Sequence, residues 1–164
     1  MYHFEKIINL GLQLIECPIP EPDKAIGFLD SRRDAEGGWH EIRVSKRPGT
    51  NPTAAAVASL LILNAIDESK DPELVATTLD FLVEMQTDEG GLRANTRIPI
   101  ADLLSSFTGA LTLIDLDAFE EIDIASYRRF VESMQRPEGG FQAAAWDTAH
   151  DVEYSFYGLG CMAL

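Results

Sequence analysis

Three stretches align without gaps around a Gly-Gly pair: FLDSRRDAEGGW (Phe28–Trp39), FLVEMQTDEGGL (Phe81–Leu92) and FVESMQRPEGGF (Phe130–Phe141). Each carries an aromatic–aliphatic pair, a three-residue spacer, Arg or Gln, an acidic residue just before the glycines, and a large apolar residue after them. The copies lie 53 and 49 residues apart, so the 164-residue chain is organised by an internal repeat. Fifteen residues beyond the second glycine of each pair stand Thr53, Ser106 and Ser155, opening the runs TAAAVASLLIL, SFTGALTLI and SFYGLGCMAL. These runs are small-residue and apolar, contain no proline, and are long enough for helices buried nearly all round.

The segments ahead of the glycines are amphipathic instead. In LVATTLDFLVEMQ, helical spacing puts Leu74, Leu79, Leu82 and Met85 near one side and Glu84 away from it, and Asp71-Pro72-Glu73 supplies a helix start. Further starts are expected at Asn51-Pro52, Asp102 and Asp151, whose side chains can take up free N–H groups. A glycine pair suits the junction: a chain leaving a helix commonly needs a left-handed residue, and a residue without Cβ allows close backbone approach. Each unit is therefore a polar-backed helix, a Gly-Gly turn, a loop and a buried helix. With a leading helix over 2–16, this predicts about seven helices, no strand, and one all-α domain over 1–164 with repeats at about 22–66, 71–115 and 122–164.

Composition excludes several classes of function. The formal charge of −14 opposes nonspecific attraction to nucleic acid or anionic membrane, and no apolar run approaches the ~20 residues of a transmembrane span. The two cysteines, Cys17 and Cys161, make neither a disulfide framework nor a CxxC metal signature, and a reducing, cytoplasmic setting is expected. His3, His40 and His150 are scattered without ligand spacing. Five of the 13 basic residues, Arg43, Lys46, Arg47, Arg93 and Arg97, fall in just two loops, each between a Gly-Gly pair and a buried helix. Positive side chains beside helix N-termini form an anion site, because free N–H groups and the helix dipole add to the field. The competing reading pairs these cations with nearby acids such as Asp88, Glu89 and Asp102.

The repeat resembles that of the prenyltransferase and squalene-cyclase (terpene cyclase) superfamily, whose units form an α/α toroid around an apolar cavity. Phe28-Leu29, Arg33, Gly37 and Trp39 resemble the cyclase QW motif, with Arg33 where Gln is usual. Phe81-Leu82, Gln86 and Gly90-Gly91, then Phe130-Val131, Gln135 and Gly139–Phe141, resemble the repeats of protein prenyltransferase β subunits. The resemblance implies an all-α toroid, here about half of a closed ring of six hairpins. It implies an isoprenoid or a prenyl diphosphate as ligand, with the two basic loops on one rim.

The family's catalytic groups are matched only in part. The β-subunit zinc ligands fall at Asp102, at Leu104 where Cys is usual, and at Tyr154 where His is usual, so no zinc or other cofactor is expected. The cyclase Asp-x-Asp-Asp acid motif is met by Asp115 and Asp117 but ends in Ala118. Asp147 and Asp151 are better placed as catalytic acids, although capping by Asp151 competes with that role. Phe107, Tyr154, Phe156 and Tyr157 stand where aromatic faces line an isoprenoid pocket, or else form ordinary core. Three hairpins leave apolar edges uncovered, which predicts either that the chain is a piece of a longer one or that a homo-oligomer or a partner chain completes the ring. The alternative function is a non-catalytic helical-repeat module for assembly or binding.

Overall fold

The computed structural model describes residues 11, 14, 17–66 and 71–164. Apart from two isolated positions, the expected leading helix over 2–16 lies outside them. Six α-helices are described: α1 (Pro22–Asp30), α2 (Thr50–Ile62), α3 (Pro72–Glu84), α4 (Leu103–Asp115), α5 (Ile124–Ser133) and α6 (Val152–Ala163), with a 3-10 turn at Phe119–Glu121. α2, α4 and α6 pack in a continuous row, α2 on α4 and α4 on α6, and the amphipathic α1, α3 and α5 lie outside it. This is an all-α partial toroid.

Local chemistry accounts for most of the helix starts. Asp71, Asp102, Asp123 and Asp151 each accept the N–H three residues on, at 2.8–2.9 Å, and Pro72 stands in the first turn of α3. α2 differs from expectation. Its N-cap is the extended Gly49, and the Asn51 side-chain Oδ1 accepts the Thr108 hydroxyl at 2.6 Å, which ties α2 to α4 and removes Asn51 from capping.

The Gly-Gly turns are built three times over on one plan. Asp34, Thr87 and Arg136 donate their N–H to the carbonyls of Gly38, Gly91 and Gly140, while Gly37, Gly90 and Gly139 donate back to the carbonyls of Asp34, Thr87 and Arg136. The first glycine of each pair has φ of 86°, 98° and 103°, a region that L side chains rarely adopt. Bridges Arg33–Trp39, Gln86–Leu92 and Gln135–Phe141 close the turns, and Phe141–Gln142 pairs antiparallel with His150–Asp151. The expectation of no strand is corrected to that extent: two-residue pairings are too short to leave an alternating pattern in the sequence.

The conserved-register hydroxyls have a specific task. Thr53, Ser106 and Ser155 accept the N–H of Trp39, Leu92 and Phe141, at 2.9, 2.9 and 3.2 Å, so each loop is closed on itself where it leaves the glycines. The large residue after the glycines then enters the core. Trp39 and Leu92 are fully buried, and the Trp39 indole donates to the Leu29 carbonyl at 3.0 Å. One core cluster gathers around α1, α2 and Trp39, and a second around α4, Tyr127 and Phe130, with Leu79 touching both.

The third inner helix departs from expectation. In α2 and α4 most residues are buried, whereas α6 buries only Gly158 and Cys161. Val152, Phe156, Leu159 and Met162 are 87, 62, 62 and 55% exposed. The sequence character of the run is that of an enclosed helix, but among the described residues only one side of α6 is covered.

Candidate functional site

A cleft of about 560 Å³ opens between the first two loops, at the starts of α2 and α4. Its lining includes Lys46, Arg47, Arg97, Asn51 and Asn95, with Ala55 and Leu104 on the apolar side. Among the described residues, three cations share the lining with one carboxylate, Glu41. At this place the N-terminus of α2 has no side-chain cap, since Gly49 offers none, whereas α4 and α6 are closed by Asp102 and Asp151. The Thr50 N–H is taken by the Ala94 carbonyl and Pro52 has none, so the Asn51 N–H, the helix dipole and the flanking cations are what favour an anion here. Arg47 donates to the Thr96 hydroxyl at 3.1 Å and so bridges the two loops across the cleft. Lys46 and Arg47 also line a smaller cleft behind, with Asp34, Glu36 and Glu84.

The five basic residues therefore do not act as one group. Lys46, Arg47 and Arg97 share the cleft. Arg43 is exposed and is not part of the lining. Arg93 turns back to the end of α3, where it donates to the Glu84 carbonyl at 3.1 Å and lies 3.6 Å from the Glu84 carboxylate. The reading that pairs loop cations with acids thus fits Arg93, through an acid on a different element from those anticipated. Glu89 instead accepts the Ala101 N–H at 2.8 Å.

Phe107, Tyr154, Phe156 and Tyr157 come together as one cluster between α4 and α6. Phe107 lies 5.8 Å from Phe156 and 5.9 Å from Tyr157, and Tyr157 lies 6.0 Å from Tyr154. None of the four lines the cleft, but Leu104, one turn before Phe107 on α4, does. The Tyr157 hydroxyl donates to Glu153 at 2.9 Å, and burial, then that bond, pushes its pKa up to about 12. Tyr154 is raised by burial and by the carboxylates of Asp102, Glu153, Asp151 and Asp147. Both tyrosines stay neutral at physiological pH.

The two aspartates read as candidate acids each hold a backbone N–H. Asp147 accepts from Ala149 at 2.9 Å and Asp151 from Tyr154 at 2.8 Å. Asp102 has both oxygens engaged by Ser105, one by its N–H and one by its hydroxyl, each at 2.8 Å, and burial raises its pKa. With Leu104 offering no donor atom and Tyr154 a neutral phenol, the three positions do not fit zinc, which takes about four donors in tetrahedral array. The Cys161 thiol is buried and pushed up to about 11 by that burial. His40 binds locally to Asp34 at 2.7 Å, and His3 lies outside the described residues.

Two features of the site escaped the sequence. The bare start of α2 is signalled only by the Gly49 that stands where α4 and α6 have Asp. The loop-to-loop bond Arg47–Thr96 has no sequence signal, because its partners are 49 residues apart.

A family model described as the prenyltransferase alpha-alpha toroid domain matches residues 53–164. The geranylgeranyl transferase type-1 subunit beta of Arabidopsis thaliana is 28% identical over 155 residues, covering 88% of this chain and 40% of that protein. Candida albicans protein geranylgeranyltransferase-I complexed with GGPP superposes with a TM-score of 0.84 at 17% identity, over 99% of this chain and 48% of that one. At that identity the likeness is one of fold. The chain spans less than half the length of either relative.

Proposed function

The chain belongs to the prenyltransferase alpha-alpha toroid family, and from that premise we propose that it is a partial toroid that binds a prenyl diphosphate, completed to a ring by a second chain. The cleft at the start of α2, with its three cations, carries the reading. Lys46, Arg47 and Arg97 neutralise the diphosphate while the Asn51 N–H donates to it, Thr50 being engaged by the Ala94 carbonyl and Pro52 having no N–H. The isoprenoid tail leaves the rim along Ala55 and Leu104 toward the Phe107–Tyr157 cluster. The geranylgeranyl diphosphate in the Candida albicans relative suggests the chain length to try first.

The donor set at Asp102, Leu104 and Tyr154 favours binding without zinc-dependent transfer. A retained fold with the metal chemistry lost is the reading we adopt, and Asp147 and Asp151 act in it as caps. An assembly module with no ligand is the competing function. Geranylgeranyl diphosphate should raise the melting temperature, because a ligand of the folded state stabilises by mass action. Lys46→Ala with Arg97→Ala should abolish that rise while leaving the ligand-free melting temperature within about 2 °C, as expected for exposed side chains. No shift for the unmodified protein at about 100 μM ligand, well above a micromolar Kd, would refute the diphosphate reading.

A further inference from the structure

Asn51 is the second residue of α2 and holds the register of Leu104, and both line the cleft between the first two loops. An asparagine near a helix start ordinarily serves that start, but this carboxamide is committed elsewhere. Its Oδ1 lies 2.6 Å from the hydroxyl of Thr108, one turn beyond Leu104 on α4. That separation is ordinary for O–H···O and short for N–H···O, so the amide turns its oxygen, and not its nitrogen, to α4. The Leu104 carbonyl, 3.0 Å from the same hydroxyl, is a longer contact.

With the oxygen held, the carboxamide has two N–H donors left to offer. Among the described residues nothing accepts them, although Asn51 is half-buried. Its chain neighbours are already satisfied: Thr50 donates to the Ala94 carbonyl, Pro52 has no N–H, and Thr53 donates to the Gly49 carbonyl. Thr96 treats Arg47 in the same manner, accepting from its guanidinium at 3.1 Å across the cleft. Two threonines of the second repeat thus hold two donors of the first. A ligand that meets donors fixed in advance loses less to ordering them.

We propose that the Asn51 side chain is a diphosphate ligand of this cleft and that Thr108, which does not line it, is the residue that positions it. This rests on the diphosphate reading and adds an uncharged, directional donor to the three cations. Lys46, Arg47 and Arg97 attract any anion, whereas Asn51, its oxygen occupied, only donates. It therefore selects oxygens that only accept, as those of an ionised diphosphate do. The hydroxyl of a prenyl alcohol, or a protonated phosphate oxygen, finds no acceptor for its proton at this residue.

Calorimetric titration of the intact chain with inorganic pyrophosphate and with geranylgeranyl diphosphate tests the assignment. Asn51→Ala should weaken both about tenfold, the worth of a hydrogen bond to a charged acceptor, and by the same factor at low and high salt. Lys46→Ala should instead lose less at high salt, where its charge is screened. Asn51→Asp keeps an acceptor for Thr108 and suits the start of α2, so the melting temperature should hold while binding falls further. Thr108→Val should weaken binding about threefold, Thr108→Ser should restore it, and Thr108→Val added to Asn51→Ala should change nothing more. A Thr108→Val loss that persists in the Asn51→Ala background would make Thr108 merely structural and overturn the positioning. Parent affinity in Asn51→Ala would overturn Asn51 as a ligand and leave the diphosphate reading to the cations. If the parent binds neither probe at about 100 μM, the assignment and the diphosphate reading fall together.

Discussion

The turns at Gly90–Gly91 and Gly139–Gly140 have the same internal hydrogen bonds and nearly the same first φ, 98° and 103°, yet one is a joint and the other a surface. Around Gly90 the α5 backbone approaches too closely for any side chain, and Gly91 lies under the Phe130 ring. Around Gly139 no atom of the described residues comes within 4 Å of where a Cβ would stand. The comparison separates two reasons for glycine that sequence cannot distinguish: a backbone angle, common to both turns, and close approach, present in one.

Alanine at the two sites should expose this difference most strongly. Gly90→Ala adds a clash with the Ser126 carbonyl to the cost of the left-handed angle, and should lose more than about 3 kcal/mol by urea denaturation. Gly139→Ala bears the angle alone and should lose about 1 kcal/mol at protein concentrations too low for association. Equal losses would mean that neighbour contact contributes nothing. The glutamines sharpen the contrast at smaller scale. Gln86→Ala removes the clasp on Asp123 and should lose about 1–2 kcal/mol, against under about 0.5 kcal/mol for Gln135→Ala under the same dilute conditions.

The smallest effect is one of sign. Asp102 and Asp123 make the same pair of bonds, to the N–H and hydroxyl of Ser105 and Ser126. Burial raises the pKa of Asp102, while at exposed Asp123 the Ser126 hydroxyl and N–H lower it. A raised folded-state pKa gives stability that is present in acid and lost as pH rises through it; a lowered one gives stability present above the ordinary carboxylate value and lost as pH falls. Between pH 3 and pH 7, Asp102→Asn should therefore gain on the parent as pH rises, and Asp123→Asn should fall behind it. Parallel trends in denaturation midpoints would contradict burial as the cause.

The fold was legible because the Gly-Gly pair and the hydroxyl fifteen residues on occur three times, which reports the turn, the loop and the inner helix together. What the repeat did not report was occupancy. SFYGLGCMAL has the composition of a buried helix, and only the neighbours of α6 decide that half of it is exposed. In the site, Lys46, Arg47 and Arg97 line the cleft at the starts of the inner helices, where their place in the repeat puts them. Arg93 was not separable from Arg97 by sequence, since the turn that directs it to Glu84 depends on the closing bond from its own N–H to the Met85 carbonyl. The expected cap at Asn51 failed for a related reason: its amide is engaged by Thr108 from another helix.

Thr53, Ser106 and Ser155 tie each loop at its neck, so the segment between tie and helix is a closed lasso that can lengthen wherever it makes no contact with a neighbouring repeat. Doubling such a segment costs only about 0.6 kcal/mol of closure entropy. The Ala94 carbonyl and the Thr96 hydroxyl join the loop to the preceding repeat, so segments of foreign sequence can be grafted between Ile98 and Ala101, clear of those contacts.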